Sequence, residues 1–278
     1  METELHKILI HTYHADPQLR ALAEAALKQF VFSDGALFTI LSFVGNQSVH
    51  RDLRQAAAIQ LKNRITELWR EAIDDPNDPT QKIYLSAADK ESARVLFLNV
   101  LLVETDNSIR GLLAEAVKSI ADVDYPIKWP TLLPTLLVHV QQPDVLKMYN
   151  SLLAIRKVAK RYEYKPKETR GPLNDLVSAT FPLLQQLMVQ ILNDHSIESA
   201  QVQRMCLKIF WSATLYVLPQ VQGVDVNGWF QIIGHIIHKV PPSVISPLLS
   251  HVHIAHSLSC CGPLSLPMLC LCGIPVFL

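Results

Sequence analysis

Apolar residues recur along the chain with the spacing of helices. Ile109, Leu112, Leu113, Ala116, Val117 and Ile120 step by three and four, which places them on one helical face. Leu173, Leu176, Val177, Leu184, Leu187, Met188 and Ile191 repeat the pattern, as do Val202, Met205, Cys206, Ile209, Ala213, Tyr216 and Val217. Leu53, Ala57, Leu61, Ile65 and Leu68 form a further stripe. No sustained alternation of period two bounded by turn residues is found. The pattern predicts an all-α protein whose stripes must bury against neighbouring helices.

Breakers divide the stripes. Asp16-Pro17, Asp74-Asp75-Pro76-Asn77-Asp78-Pro79, Tyr125-Pro126, Trp129-Pro130, Gln142-Pro143-Asp144, Lys165-Pro166 and Gly171-Pro172 are stops or turns. Between them the pattern predicts helices at 3–13, 17–30, 35–45, 51–70, 87–104, 108–122, 131–141, 145–162, 173–193, 198–217 and 226–239. These pair as hairpins. Starts near 87, 131 and 173 lie 131 − 87 = 44 and 173 − 131 = 42 residues apart, the period of HEAT and armadillo repeats. One hairpin cannot bury both its faces, so stacking is required, which leaves a concave and a convex side. The expected fold class is an all-α, right-handed superhelical solenoid of HEAT-type helical hairpins, with about five to six repeats. A globular helical bundle is the alternative; many serial hairpin-like helices favour the solenoid.

Charge then separates two regions. Lys plus Arg is 25 and Asp plus Glu is 25, and all of them lie in residues 1–240. Residues 1–240 are therefore read as the helical-repeat region, long enough to bury a large core. Zero net charge argues against a general nucleic-acid binder, and a hydrophobic share of 49% argues against disorder. Only 9 glycines occur in 278 residues, which leaves little for phosphate-cradling loops and disfavours nucleotide-binding α/β folds. The start, Met-Glu-Thr-Glu-Leu-His-Lys, has no basic region leading into an apolar run, so no signal peptide is expected. Cys206 alone among the cysteines lies in the repeat region, unlike a secreted disulfide scaffold. The Asn46-Gln47-Ser48 sequon carries no meaning without secretion.

Residues 241–278 hold six prolines, four cysteines and no charge. The run from Ser257 to Leu278 is long enough for a membrane anchor, but Pro263, Pro267 and Pro275 oppose a spanning helix. This tail is expected to be disordered or non-native, a product of read-through, a frameshift or alternative splicing. His251, His253 and His256 beside the tail cysteines invite a zinc reading, but zinc needs an ordered scaffold; no metal is expected.

Three motifs carry a family resemblance. Residues 51–65 read Arg-Asp-Leu-Arg-Gln-Ala-Ala-Ala-Ile-Gln-Leu-Lys-Asn-Arg-Ile. Ala56, Ala57 and Ala58 would let helices approach closely, with Leu53, Ala57 and Leu61 facing the core. The segment Asp124-Tyr125-Pro126-Ile127-Lys128-Trp129-Pro130 is followed by Leu132-Leu133. Here Pro126 would stop one helix, Pro130 suits the first turn of the next, and Trp129 would pack between repeats. Residues 160–173 read Lys-Arg-Tyr-Glu-Tyr-Lys-Pro-Lys-Glu-Thr-Arg-Gly-Pro-Leu, with Gln203, Lys208-Ile209-Phe210 and Tyr216-Val217-Leu218-Pro219 beyond. In order, these resemble the importin-β superfamily of karyopherins, and the third resembles its importin-seven and importin-eight branch. The resemblance runs over roughly residues 15–242 and stops at about Ser243, and family members are much longer.

The resemblance implies a nuclear import receptor regulated by Ran·GTP, shuttling between cytoplasm and nucleus. It implies partners: Ran·GTP on the concave B helices of the first repeats, protein cargo farther along, and nuclear-pore Phe-Gly nucleoporins in outer pockets. No direct nucleic-acid or membrane partner and no cofactor are implied. On this sequence the Ran-binding candidates are Lys62 and Asn63, carried by the Leu-Lys-Asn match, and Arg110, Glu115 and Lys118, placed by position on the next inner helix. Each has a plainer reading as a solvated polar face or an interhelical pair. The basic residues Arg156, Lys157, Lys160, Arg161, Lys165, Lys167 and Arg170 allow a nucleic-acid reading with Tyr162 and Tyr164 as stacking partners. Cations near a helix C-terminus are the preferred reading. Phe181, Phe210 and Trp211 are expected in the core.

No Gly-x-x-x-x-Gly-Lys loop, His-Glu-x-x-His, Gly-x-Ser-x-Gly or Cys-x-x-Cys occurs, so no enzyme is expected. An unrelated HEAT-repeat scaffold that binds proteins without Ran dependence remains the alternative.

Overall fold

Capping residues start most of the helices, and two of them, Asp16 and Asp144, lie at the breakers. The computed structural model describes residues 1–70, 73–74, 80, 82–215 and 224–239. Its helices are α1 (Glu2–His11), α2 (Pro17–Val31), α3 (Ala36–Gly45), α4 (Arg51–Leu68), α5 (Ala87–Val103) and α6 (Asn107–Asp124). They continue with α7 (Leu132–Val140), α8 (Val145–Lys160), α9 (Gly171–Ile191), α10 (Ile197–Thr214) and α11 (Val226–Lys239). Asp16 accepts a hydrogen bond from the Gln18 N–H at 2.8 Å, with Pro17 opening α2. Ser86, Asp106, Asp144 and Ser196 cap α5, α6, α8 and α10 in the same way. Each such cap contributes about 1 kcal/mol.

The helices match the expected ones closely, with three differences. The stripe through Tyr216 and Val217 ends at Thr214 within α10, and residues 216–223 lie outside the described residues, as do residues 240–278 and the tail reading with them. Pro130 precedes α7 by two residues instead of entering its first turn, and Pro134 falls in that turn. A minimal antiparallel pair, β1 (Ile73–Asp74) and β2 (Lys82–Ile83), sits between α4 and α5, with Ile73 opposite Ile83. Two-residue strands are too short to show an alternating pattern.

The chain divides into two units, Met1–Lys165 and Pro166–Leu278. In the first, α3–α4, α5–α6 and α7–α8 pair as hairpins, and α4, α6 and α8 pack side by side. Ala57 and Ala58 are fully buried between Leu53 and Leu61, so no bulk separates α4 from its neighbours. Leu113, Ala116, Val117 and Ile120 of α6 and Ile155, Val158 and Ala159 of α8 continue that interior. A fully buried Leu or Ile contributes roughly 1.5–3 kcal/mol, so one stripe outweighs the few tenths that propensity supplies.

The second unit is built on α9, α10 and α11. Phe181, Phe210 and Trp229 are fully buried, with ring centroids 5.6, 5.4 and 4.8 Å apart. Trp211 is half-buried. Pro182 lies inside α9, where it supplies no N–H; burial of Leu176, Val177, Phe181, Leu184 and Met188 holds the helix through it.

Candidate functional site

α3, α5 and α7 pack on one side of the α4–α6–α8 layer, and the other side is open among the described residues. On α4 the open stripe runs through Asp52, Ala56, Ile59, Asn63 and Thr66. Lys62 is half-buried at its edge and Asn63 is exposed. Neither side chain has a hydrogen bond or ion pair with another described residue; only the Lys62 carbonyl is engaged, accepting from the Thr66 hydroxyl at 2.9 Å.

Arg110, Glu115 and Lys118 lie on the corresponding side of α6, in a different state. Arg110 stands over the Tyr149 ring at 4.6 Å and donates to Asn150 Oδ1 at 3.2 Å and to Asn107 Oδ1. Glu115 accepts from Lys157 of α8 and pairs with Lys118 at 3.7 Å. Partial burial alone would raise the Glu115 pKa, but the Lys157 hydrogen bond and the charges of Lys157, Lys118 and Lys160 outweigh it and hold the carboxyl below its ordinary value. Arg110 and Glu115 thus also tie α6 to α8, while Lys118 pairs within α6.

At the far end of the layer the Tyr125–Trp129 motif forms the turn. The Tyr125–Pro126 peptide is cis. Tyr125 and Trp129 are buried, Pro126 is half-buried and Pro130 is exposed. The Asp124 carbonyl accepts from the Lys128 and Trp129 N–H groups. Its carboxylate, 2% exposed, accepts from Trp69 Nε1 at 2.8 Å and from Arg94 at 2.8 and 3.1 Å. One aspartate therefore joins α4, α5 and α6.

The basic run is partly consumed as well. Arg161 donates to the carbonyls of Ala121 and Asp122 at 2.6 and 3.0 Å and pairs with the Asp122 carboxylate at 2.7 Å. It thereby places a cation at the C-terminus of α6, where the helix dipole favours it. Arg161 and Lys165 lie against the Tyr162 ring, which is 2% exposed and closed to base stacking; Tyr164 is exposed. Among the described residues no group of three or more His, Cys, Asp or Glu side chains could hold a metal.

Sequence reasoning missed the buried polar residues. Arg54 donates to the Val44 carbonyl at 2.8 Å and to Glu104, which is fully buried. Glu104 also accepts from the Asp106 N–H at 2.8 Å. Asn150 donates to the carbonyls of Leu101, Leu102 and Glu104 at 2.9, 3.1 and 3.0 Å, closing the C-terminus of α5. Arg64 is buried against the Phe32 ring, and its Nε and Nη1 have no hydrogen-bond partner among the described residues. Burial brings it down to about 10, with Asp34 pulling the other way. The one signal for these residues was a charged or amide side chain at an apolar-stripe position.

Comparison with known proteins gives this arrangement a family. Residues 23–115 match the Importin-beta N-terminal domain. The chain is 30% identical over 233 residues to Importin-8 of Homo sapiens, covering 83% of this chain and 22% of that protein. It is 29% identical over 259 residues to the probable importin-7 homolog of Dictyostelium discoideum, covering 90% and 22%. The chain thus spans about a fifth of the length of the curated relatives it matches. Among solved structures, the exportin Cse1 in its cargo-free, cytoplasmic state superposes with a TM-score of 0.72 at 20% identity, over 87% of this chain and 26% of that one. The matched domain, these relatives and the stacked hairpins together show that the chain belongs to the importin-β superfamily, as an N-terminal portion of its importin-seven/importin-eight branch.

Proposed function

We propose that the chain is the Ran-engaging portion of a nuclear import receptor. Ran·GTP binds the open side of the α4–α6–α8 layer, and this binding opposes that of import cargo elsewhere on the receptor, a differential-affinity switch between two sites. The receptor shuttles between cytoplasm and nucleus and passes the pore on Phe-Gly nucleoporins. It acts without a cofactor, a membrane or direct nucleic-acid contact.

One observation carries the reading. Within the matched domain, Lys62 and Asn63 stand on an open helix face with no side-chain partner in the described chain. The test is titration of the chain with Ran loaded with a non-hydrolysable GTP analogue, and separately with GDP. Clear GTP preference is expected. Equal binding of both forms, or of neither, would overturn it.

A second reading, a HEAT-repeat scaffold that binds proteins without Ran dependence, is favoured by the intrachain ties of Arg110, Glu115 and Lys118. It expects those side chains to act in packing alone.

A further inference from the structure

We propose that the open side of α6 and α8 is a docking site for an acidic protein segment, whose carboxylates meet Arg156, Lys160 and Lys118 and whose backbone passes close to Gly111. The inference deepens the Ran reading and rests on it for the partner's identity, naming only the chemistry on the partner's side.

The first observation is unbalanced charge. The C-terminal halves of α6 and α8 turn Lys118, Arg156, Lys157 and Lys160 outward against Glu115 and Asp122, a surplus of 4 − 2 = 2 positive charges. Neither carboxylate is spare: Asp122 is held by Arg161, and Glu115 is shared by Lys157 and Lys118 with Lys160 near enough to act on it. Lys160 is exposed. Arg156, one helical turn before Lys160, has a buried Nε with no hydrogen-bond partner among the described residues. Its two Nη groups are not among the buried atoms and have no hydrogen bond to a described residue, so an incoming carboxylate can accept from both.

The second observation is independent of charge. Gly111 lies inside α6, one turn before Glu115, and a Cβ built there meets nothing within 4 Å. Glycine in a helix interior costs about 1 kcal/mol against alanine. No contact within the described chain calls for that loss, whereas close approach of a partner's backbone would. Half-buried Leu112 and Leu153 flank the position, so the acidic segment meets apolar surface beside the cations.

Nucleic acid fits less well. Tyr162, the aromatic ring within the basic run's cation cluster, is buried and closed to base stacking.

The experiment follows the fluorescence anisotropy of a labelled peptide of alternating glutamate and leucine on the full chain, with a glutamine–leucine peptide and oligothymidylate as comparators. The glutamate peptide should bind, more weakly as salt rises. An Arg156→Glu, Lys160→Glu double variant should weaken it by about tenfold, while Lys7→Glu, Lys28→Glu leaves it unchanged. Gly111→Ala should raise the melting temperature yet weaken the peptide. Oligothymidylate binding tighter than the peptide, equal binding of the glutamine peptide, or indifference to the double variant would each overturn the inference. If Ran·GTP binds but the peptide does not, the docking site fails and the receptor reading stands. If the peptide binds and Ran·GTP does not, the docking site stands and the Ran reading falls.

Discussion

Lys62 and Asn63 on α4 and Arg110, Glu115 and Lys118 on α6 occupy matching stripes of neighbouring helices, yet different things hold them. The α4 pair has no side-chain partner in the described chain, whereas each α6 residue has one. Helical spacing tells which face a residue is on. It does not tell whether a neighbouring helix already occupies that residue's hydrogen bonds, because the answer depends on which side chains stand opposite across a contact some 40 residues away. The comparison separates side chains without a partner in the described chain from side chains that already have one.

The largest expected effect lies beneath both stripes. Glu104→Gln leaves Arg54 buried without its counter-charge and should lower unfolding stability by about 3 kcal/mol in urea titration. Asn150→Ala uncovers three carbonyls at the end of α5 and removes one of the two Arg110 acceptors; about 2 kcal/mol is expected from thermal unfolding. Lys62→Ala should change stability by less than about 0.5 kcal/mol, and if the site is right it should weaken Ran·GTP by about tenfold, near 1.4 kcal/mol.

Smallest is a pH effect at Glu115. Its folded carboxyl titrates below its ordinary value, so its contribution is complete above the unfolded carboxylate pKa of about 4.3 and fades as pH falls through the lower folded value. The stability gap between the native chain and Glu115→Gln should therefore be widest near neutrality and close in acid. The group is 42% exposed, so solvent screening keeps the gap small. A gap that widens on acidification would contradict the geometry.

The fold was legible because its signals are local. Apolar stripes and proline breaks are set by neighbouring residues in sequence, and together they placed the helices to within a few residues. The interior polar residues were not legible. Arg54 and Asn150 show on a helical wheel only as polar residues at apolar-stripe positions, and only packing shows that Arg54 meets Glu104 or that Asn150 closes α5. Trp129 was legible as an interior residue, but Asp124 as the acceptor for Trp69 and Arg94 was not. For the proposed site, the Leu-Lys-Asn motif pointed to α4, where Asn63 is exposed and Lys62 half-buried. The sharing of Arg110 and Glu115 with α8 shows only in the packed structure.

The central claim is that the open stripe of α4 contacts Ran·GTP while the α6 candidates serve packing as well. Calorimetric titration of Ran·GTP into the native chain, the Lys62→Ala, Asn63→Ala double variant and Lys118→Ala tests it most directly. The account predicts that the α4 double variant loses at least tenfold in affinity, near 1.4 kcal/mol, with its melting temperature intact, and that Lys118→Ala loses less. Unchanged affinity in the α4 double variant would contradict it.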